Sequence, residues 1–244
     1  MSDNTSVNVF WFRRDLRLDD NAGLYHALKQ GKPVLPVFIF DTNILDELED
    51  KNDKRVQFIH REIERLNTEL LQFGSSILVK HGKPLDAWKK LVNEFSIEKV
   101  FTNHDYEPYG MVRDKQVSEL LNENGIHFYS YKDVVIFEKN EVLKDDQTPY
   151  TVFTPYSKKW KAKLNSFYTK SYPSLRYANS FVKFSPSAIP SLTQIGFNGT
   201  PFEFPAMVVH SNIIKNYSEN RDFPAVNGTS HLGIHLRFGT LSIR

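Results

Sequence analysis

Apolar residues fall along the first 130 positions in two alternating rhythms. Val7–Phe12 (VNVFWF) and Val34–Phe40 (VLPVFIF) are short, almost unbroken apolar runs with the density of strands buried on both faces. Elsewhere the period lengthens. In Lys54–Phe73 the residues Val56, Ile59, Ile63, Leu66, Leu70 and Phe73 recur at spacings of three and four, which predicts an amphipathic helix ended by Gly74. Asn21–Gln30 predicts a helix with Asp20 as its N-cap. The same reading gives a strand at Ser76–Lys80, a helix at Leu85–Phe95, a strand at Lys99–Thr102, a helix at Met111–Asn124 closed by Gly125, and a fifth strand at Ile126–Tyr129.

Strands alternating with helices over short turns imply α/β architecture: a doubly wound, five-stranded parallel, Rossmann-like sheet with right-handed crossovers. Ligands of such sheets sit beyond the carboxyl ends of the strands. No G-x-G-x-x-G follows the first strand, where FRRDLRLDDN stands instead, so a standard NAD site is not expected. From residue 133 the periodicity breaks. Helix is expected near Pro155–Tyr168, residues 171–202 read as loop, and a helix resumes over Ala206–Asn220 with Met207, Ile213, Ile214 and Tyr217 on one face. The abundance of Phe and Tyr predicts a long connector laid over protein surface rather than a disordered one. The last stretch, Tyr217–Arg244, combines an aromatic, an Arg-Asp pair, a Gly-Thr-Ser turn and a helix-like run that ends without a cap, and the chain is expected to be the front part of a larger protein.

Composition narrows the classes. There is no cysteine, so disulfides, thiolate catalysis and Cys-ligated metals are excluded and a cytoplasmic, reducing location is expected. The polar start lacks a secretory pattern, and no apolar run reaches the roughly 18 residues of a membrane span. The net charge of +2 conceals an asymmetry: residues 1–150 carry 20 Lys and Arg against 26 Asp and Glu, whereas residues 151–244 carry 11 against 3. A basic second half suits a polyanionic partner, and chance with solvated lysines is the plain alternative.

Chemistry concentrates in a few strings. FRRDLRLDDN (Phe12–Asn21) puts three arginines and three aspartates at the ligand-bearing edge of the sheet, where they either form a mutual salt-bridge lattice or fix a ligand. Thr229 and Ser230 after Gly228 can cap the next helix or donate to a phosphate. Tyr217 is either a core tyrosine or a ligand contact, Arg221 pairs with Asp222 or Glu219 or faces an anion, and Lys158, Lys159, Lys161 and Lys163 form either a solvated face or a polyanion-attracting one. The eight histidines show no H-E-x-x-H, and there is no G-x-S-x-G, so neither a metal site nor hydrolase chemistry is supported and no catalytic side chain is nominated. Trp11, Trp88 and Trp160 are scattered and read as packing residues.

Four motifs in register resemble the photolyase/cryptochrome family: the apolar strand followed by FRRDLRLDDN, NHDYEPYGMVRD (Asn103–Asp114), PYTVFTPYSKKW (Pro149–Trp160), and RDFPAVNG with TSHLGIHLRFGTLSIR (Arg221–Arg244). The resemblance implies an antenna domain at 1–132, an interdomain connector at 133–204 and the truncated start of an all-α FAD-binding domain at 205–244. It implies FAD contacts at Tyr217, Thr229, Ser230, His231, Leu232 and Gly233, an antenna contact at Glu107 for a chromophore such as 5,10-methenyltetrahydrofolate, and a DNA contact at Arg221. Where Gly233 stands the family commonly has Ser, which leaves only a backbone contact there; His231 stands at a variable position and contacts through its backbone. The implied activity is light-driven splitting of cyclobutane pyrimidine dimers in damaged DNA by a monomer, with this piece alone neither holding FAD tightly nor repairing DNA. A cryptochrome photoreceptor without repair is the alternative, and a stand-alone nucleotide-binding module a more distant one.

Overall fold

The computed structural model describes residues 6–183 and 185–244; the polar opening residues and one position of the connector lie outside them. Five parallel strands, β1 (Val7–Phe12), β2 (Val34–Asp41), β3 (Leu78–Gly82), β4 (Ile97–Asn103) and β5 (His127–Tyr131), form one sheet in the order β3-β2-β1-β4-β5. The central strands β1 and β2 are buried along their whole length, as their unbroken apolar runs require. Edge strand β5 is mostly exposed, and its polar His-Phe-Tyr-Ser-Tyr sequence suits that place.

The helices are α1 (Ala22–Leu28), α2 (Thr42–Leu45), α3 (Lys54–Leu71), α4 (Pro84–Glu94), α5 (Pro108–Glu123), α6 (Phe153–Lys163), α7 (Ser211–Asn220) and α8 (Gly233–Arg237). Alternation along β1 divides the core in two. Phe10 and Phe12 join Phe38, Phe40 and Phe101 under α1 and α3, while Val7, Val9 and Trp11 join Leu35, Val37 and Val100 under α4 and α5. The expected doubly wound sheet is present, with strand boundaries shifted by one to two residues. Three local expectations differ. Asn21, not Asp20, caps α1, its side chain accepting from Leu24 N; Asp20 has φ +49, outside the extended range of an N-cap. Trp11 and Trp88 are not scattered but pack edge to face, 5.5 Å apart, while Trp160 meets Phe137 at 5.3 Å. Met207 precedes α7 instead of sharing its face, and α7 buries none of its residues.

The chain beyond β5 runs over the α/β part. It returns to the sheet at Val182, whose N–H donates to Val34 O at 2.9 Å, and it crosses α3, where Gln57 bonds Thr200 and His60 bonds Pro190 O at 2.9 Å. The final residues then dock on the loop that leaves β1. Leu16 N donates to Phe238 O at 3.0 Å and Arg17 Nη1 to Gly239 O at 2.9 Å. Gly239 has φ +63, and a Cβ there would lie 2.3 Å from Arg14 O, so the position tolerates only glycine.

This junction closes on Asp133, which is fully buried. It accepts Arg17 at 2.7 Å, Arg244 at 2.8 Å and the backbone of Ala22 at 2.9 Å, while Arg244 also reaches Asp20 at 2.9 Å. Removing one member of such a group leaves buried charge uncompensated, typically at a cost of about 3–5 kcal/mol. Asp133→Ala is therefore expected to lower unfolding free energy by about that amount in urea titration; a loss below about 1 kcal/mol would mean that the arginines are solvated.

Candidate functional site

The sheet changes winding direction between β1 and β4, and their carboxyl ends open a crevice. Beside it a groove of about 510 Å³ lies over the carboxyl ends of β1 and β2, walled by the loop after β4 and by α5, within the range of small-molecule sites. Its floor is apolar, from Phe38, Phe40, Leu45 and Val56; its rim is charged, from Arg14, Asp105, Glu107, Arg113 and Arg237. Trp11 also lines it, with the Arg13 and Arg113 guanidiniums 5.0 Å and 5.1 Å from its ring centroid.

The arginines of the 13–17 loop do form an ionic lattice, but not with one another's aspartates. Arg13 pairs with Asp114, Arg14 with Asp105 at 2.8 Å and Glu107 at 2.6 Å, and Arg17 with Asp133. Of the two readings the sequence left open, the mutual lattice had the acids pair with the arginines that adjoin them in the chain. Asp15 instead turns inward to accept Asn103 Nδ2 at 2.6 Å and the N–H of Arg13 at 2.7 Å. Burial raises the Asp15 carboxyl above its ordinary value against those bonds.

Two features of the groove were not foreseen. Tyr109 and Arg113, one turn apart on α5, both face it. Tyr109 OH donates to Asp41 Oδ2 at 2.6 Å and accepts from Asn43 Nδ2 at 3.1 Å. Burial, then the bond to Asp41, pushes Tyr109 up to about 12, so its proton stays on and points at Asp41. Burial also raises Asp41, against the Tyr109 bond and Arg113. The signal in the sequence was the placement of NHDYEPYGMVRD just after β4.

Glu107 sits at the head of α5 and at the groove mouth, half exposed. One carboxylate oxygen, Oε1, receives both Arg14 Nη1 at 2.6 Å and Arg237 Nη2 at 2.8 Å. Burial raises its carboxyl, and the two arginine bonds outweigh that and hold it below its ordinary value. Asp105 is likewise raised by burial and brought below its ordinary value by Arg14, Arg13 and Arg113.

A second concavity, of about 520 Å³, brings together Tyr217, Thr229, Ser230, His231, Leu232 and Gly233, with Val209, Ile213 and Ile214 as its apolar side. Tyr217 is 47% exposed on α7, so it is no core tyrosine. Gly228 lets the turn lie against α7, since a Cβ there would fall 2.5 Å from Asn220 Cβ. Among the described residues, the backbone N–H groups of Thr229 through Gly233 and the hydroxyls of Thr229 and Ser230 donate to no protein acceptor. The expectation that Thr229 or Ser230 caps the next helix is not met: the N-cap is Leu232, with no side-chain bond. His231 has φ +52, and its ring contacts Asn227 Oδ1 at 3.0 Å.

Arg221 lines an adjoining hollow of about 420 Å³ that shares Thr229 and His231 with this concavity. Its nearest acid is Asp222 at 3.7 Å, and its guanidinium lies 5.9 Å from the Tyr217 ring. Of the lysine cluster, Lys159 meets Asp145 at 2.8 Å and Lys163 bonds Glu141 O. No group of His, Asp and Glu able to hold a metal occurs among the described residues, and no helix there is long and apolar enough to cross a membrane.

The sequence profile of the DNA photolyase family matches residues 8–175. A deoxyribodipyrimidine photo-lyase of Synechococcus sp. is 32% identical over 97% of this chain and 52% of its own length. Cryptochrome-2 of Arabidopsis thaliana is 27% identical over 97% of this chain and 41% of its own. A photolyase from Sulfolobus tokodaii, solved with two FAD molecules and described as implying a novel light-harvesting cofactor, superposes with a TM-score of 0.67 and 26% identity over 96% of this chain and 52% of its own. The chain spans about half the length of these relatives.

The groove's acids set a pH dependence. Glu107 and Asp105 have folded values below their ordinary 4.5 and 3.8, so their stabilisation is present above those values and lost as pH falls through the folded ones. Asp41, raised above 3.8, acts oppositely: its contribution is present below that value and fades as pH rises through its folded one. The urea midpoint is expected to fall below about pH 4.5, and less steeply in Glu107→Gln; equal slopes for the two proteins would show that the Arg14–Glu107–Arg237 contact contributes nothing.

Proposed function

The chain belongs to the DNA photolyase family, and on that premise we propose that it forms the antenna side and the opening of the flavin cradle of a light-dependent DNA repair enzyme that splits cyclobutane pyrimidine dimers. In this reading residues 1–132 are the antenna domain, 133–204 the connector and 205–244 the beginning of the helical FAD-binding domain. The observation that carries it is the single open concavity holding Tyr217 and the 229–233 turn, with its unpaired donors.

Those donors fit a dinucleotide. Five successive N–H groups and two hydroxyls on one turn match the acceptor oxygens of a diphosphate, and Tyr217 with the aliphatic side offers a surface for the flat or ribityl parts. Gly233, with no side chain, contributes its N–H and close approach. When bound and reduced, FAD would supply the photoexcited one-electron reductant for the lesion. The residues present bind and orient; none is placed to act as a nucleophile or a general base. Arg221, at the end of α7 beside the concavity, is suited to a DNA phosphate, and the basic second half of the chain supports the same approach. The lesion must leave the stack to meet the cradle, at a cost reduced by its poor pairing.

The groove at the strand ends is read as the antenna site. Its apolar floor and charged rim suit a flat aromatic chromophore, and Glu107, with Oε2 free of protein donors among the described residues, is available to a ring N–H such as that of 5,10-methenyltetrahydrofolate. The cryptochrome relative supports a second reading, a blue-light receptor with the same cofactor and no repair.

Two measurements test this. Thr229→Ala combined with Ser230→Ala removes two donors worth about 0.5–1.5 kcal/mol each, so FAD affinity from flavin-fluorescence titration should fall roughly tenfold; unchanged affinity would remove this turn from the cradle. A protein of the relatives' full length carrying this segment, with reduced FAD, is expected to split thymine dimers in blue light, read as recovered absorbance of a dimer-bearing oligonucleotide. Flavin retention without splitting would favour the receptor reading.

A further inference from the structure

Between Asp146 and Glu203 the chain carries seven Lys and Arg and no acid. The residues before it hold more acids than bases, so partners for these cations were within reach. Few are taken. Lys159 pairs with Asp145, while Lys163 and Lys183 donate to the backbone oxygens of Glu141 and Phe73. Lys158, Lys161, Lys170 and Arg176 are exposed, and among the described residues their side chains make no ion pair or hydrogen bond.

Aromatic rings stand among these free cations. Phe153, the first residue of α6, and Phe167, just beyond the end of that helix, are each 78% exposed. Both are carried by anchored structure. Trp160, two turns from Phe153 on the same face of α6, packs on Phe137 at 5.3 Å. Phe167 packs edge to face on Tyr168 at 5.2 Å, and Tyr168 meets Phe137 at 4.6 Å. No residue of this surface lines the groove or the cradle.

We propose that α6 and the segment that follows it to Arg176 bind single-stranded nucleic acid, with Phe153 and Phe167 stacking on bases and the four free cations meeting phosphates. Bases inside a duplex present no face to such rings, so the single strand is preferred. Phenyl rings and lysines read no base edge, so binding is indifferent to sequence. An anionic membrane is the other polyanion to weigh, but insertion needs a continuous apolar helix face. The apolar face of α6 closes against Phe137 at Trp160, and lysines occupy the rest of its circumference. The proposal stands apart from the reading of either concavity as a cofactor site.

The test takes the whole 244-residue chain with a fluorescein-labelled oligothymidine, the same strand paired with oligoadenine, and vesicles of phosphatidylserine in phosphatidylcholine. Fluorescence anisotropy is expected to show the single strand bound more tightly than the duplex. Phe153→Ala and Phe167→Ala should each weaken it roughly fivefold or more, the loss of one stacked base, while Phe167→Trp keeps binding. Lys158→Gln, Lys161→Gln and Lys170→Gln together should lower the slope of log affinity against log salt by about 2. All these positions are exposed, so an unchanged urea midpoint separates lost contact from lost fold. No binding, equal affinity for duplex, or unchanged affinity in the alanine variants overturns the proposal. So does a loss confined to Arg221→Gln, which would put the strand beside the cradle, or association with the vesicles alone. None of these outcomes touches the flavin titration or the dimer-splitting assay, which decide the proposed function separately.

Discussion

Three guanidiniums leave β1 within five residues, and each must meet an acid before it can be buried. That requirement organises the molecule. Arg13 draws in Asp114 of α5, Arg14 draws Asp105 and Glu107 from the end of β4, and Arg17 draws Asp133 from beyond β5. Desolvating charges at the core edge is costly, and it is tolerable here because each guanidinium finds several acceptors in fixed geometry. Arg17 makes four hydrogen bonds to three acceptors, Asp20 O, Gly239 O and Asp133. A loop that would otherwise be mobile thereby becomes the rigid platform on which the last residues of the chain dock.

The platform explains why both concavities fall at one place. A parallel sheet opens its crevice where the winding reverses, between β1 and β4. The tail of the chain arrives at the same crevice because Asp133 and Asp20 hold Arg244, and because Gly239 alone permits backbone to approach Arg14 O so closely. The groove thus has walls from residues far apart in sequence, while the cradle is built from two neighbouring segments, α7 and the 229–233 turn. The groove is fixed by ion pairs that span the fold; the cradle lies on elements that bury little. Helix α7 has no buried residue, and Ile214, Phe223 and Tyr217 are exposed.

This contrast tracks what was legible in the sequence. The strands could be read because β1 and β2 are buried on both faces and so show unbroken apolar runs, and α3 because one of its faces is buried and the other is not. The six residues of the second concavity were named through the family resemblance of the chain's last stretch, and the structure brings them to one concavity because Tyr217 on α7 and the 229–233 turn are near in sequence. The groove was largely illegible. Asp41, Tyr109 and Arg237 converge only after β2, α5 and α8 have been placed, and nothing in their local spacing signals it. The mutual-lattice reading of FRRDLRLDDN fails for the same reason: proximity in the chain suggested that its arginines and aspartates pair together, whereas β1 has ended at Phe12 and the loop that follows turns Asp15 inward and carries the arginines to partners brought in by other elements.

On the proposed reading, the different construction of the two concavities also bears on how a light-dependent enzyme would be assembled. A chromophore site intended to pass energy gains from rigidity, since transfer depends on fixed distance and orientation, and the ionic rim around Trp11, Arg113 and Glu107 provides it. A site that must admit both a dinucleotide and an extruded lesion gains from being open until its occupants arrive.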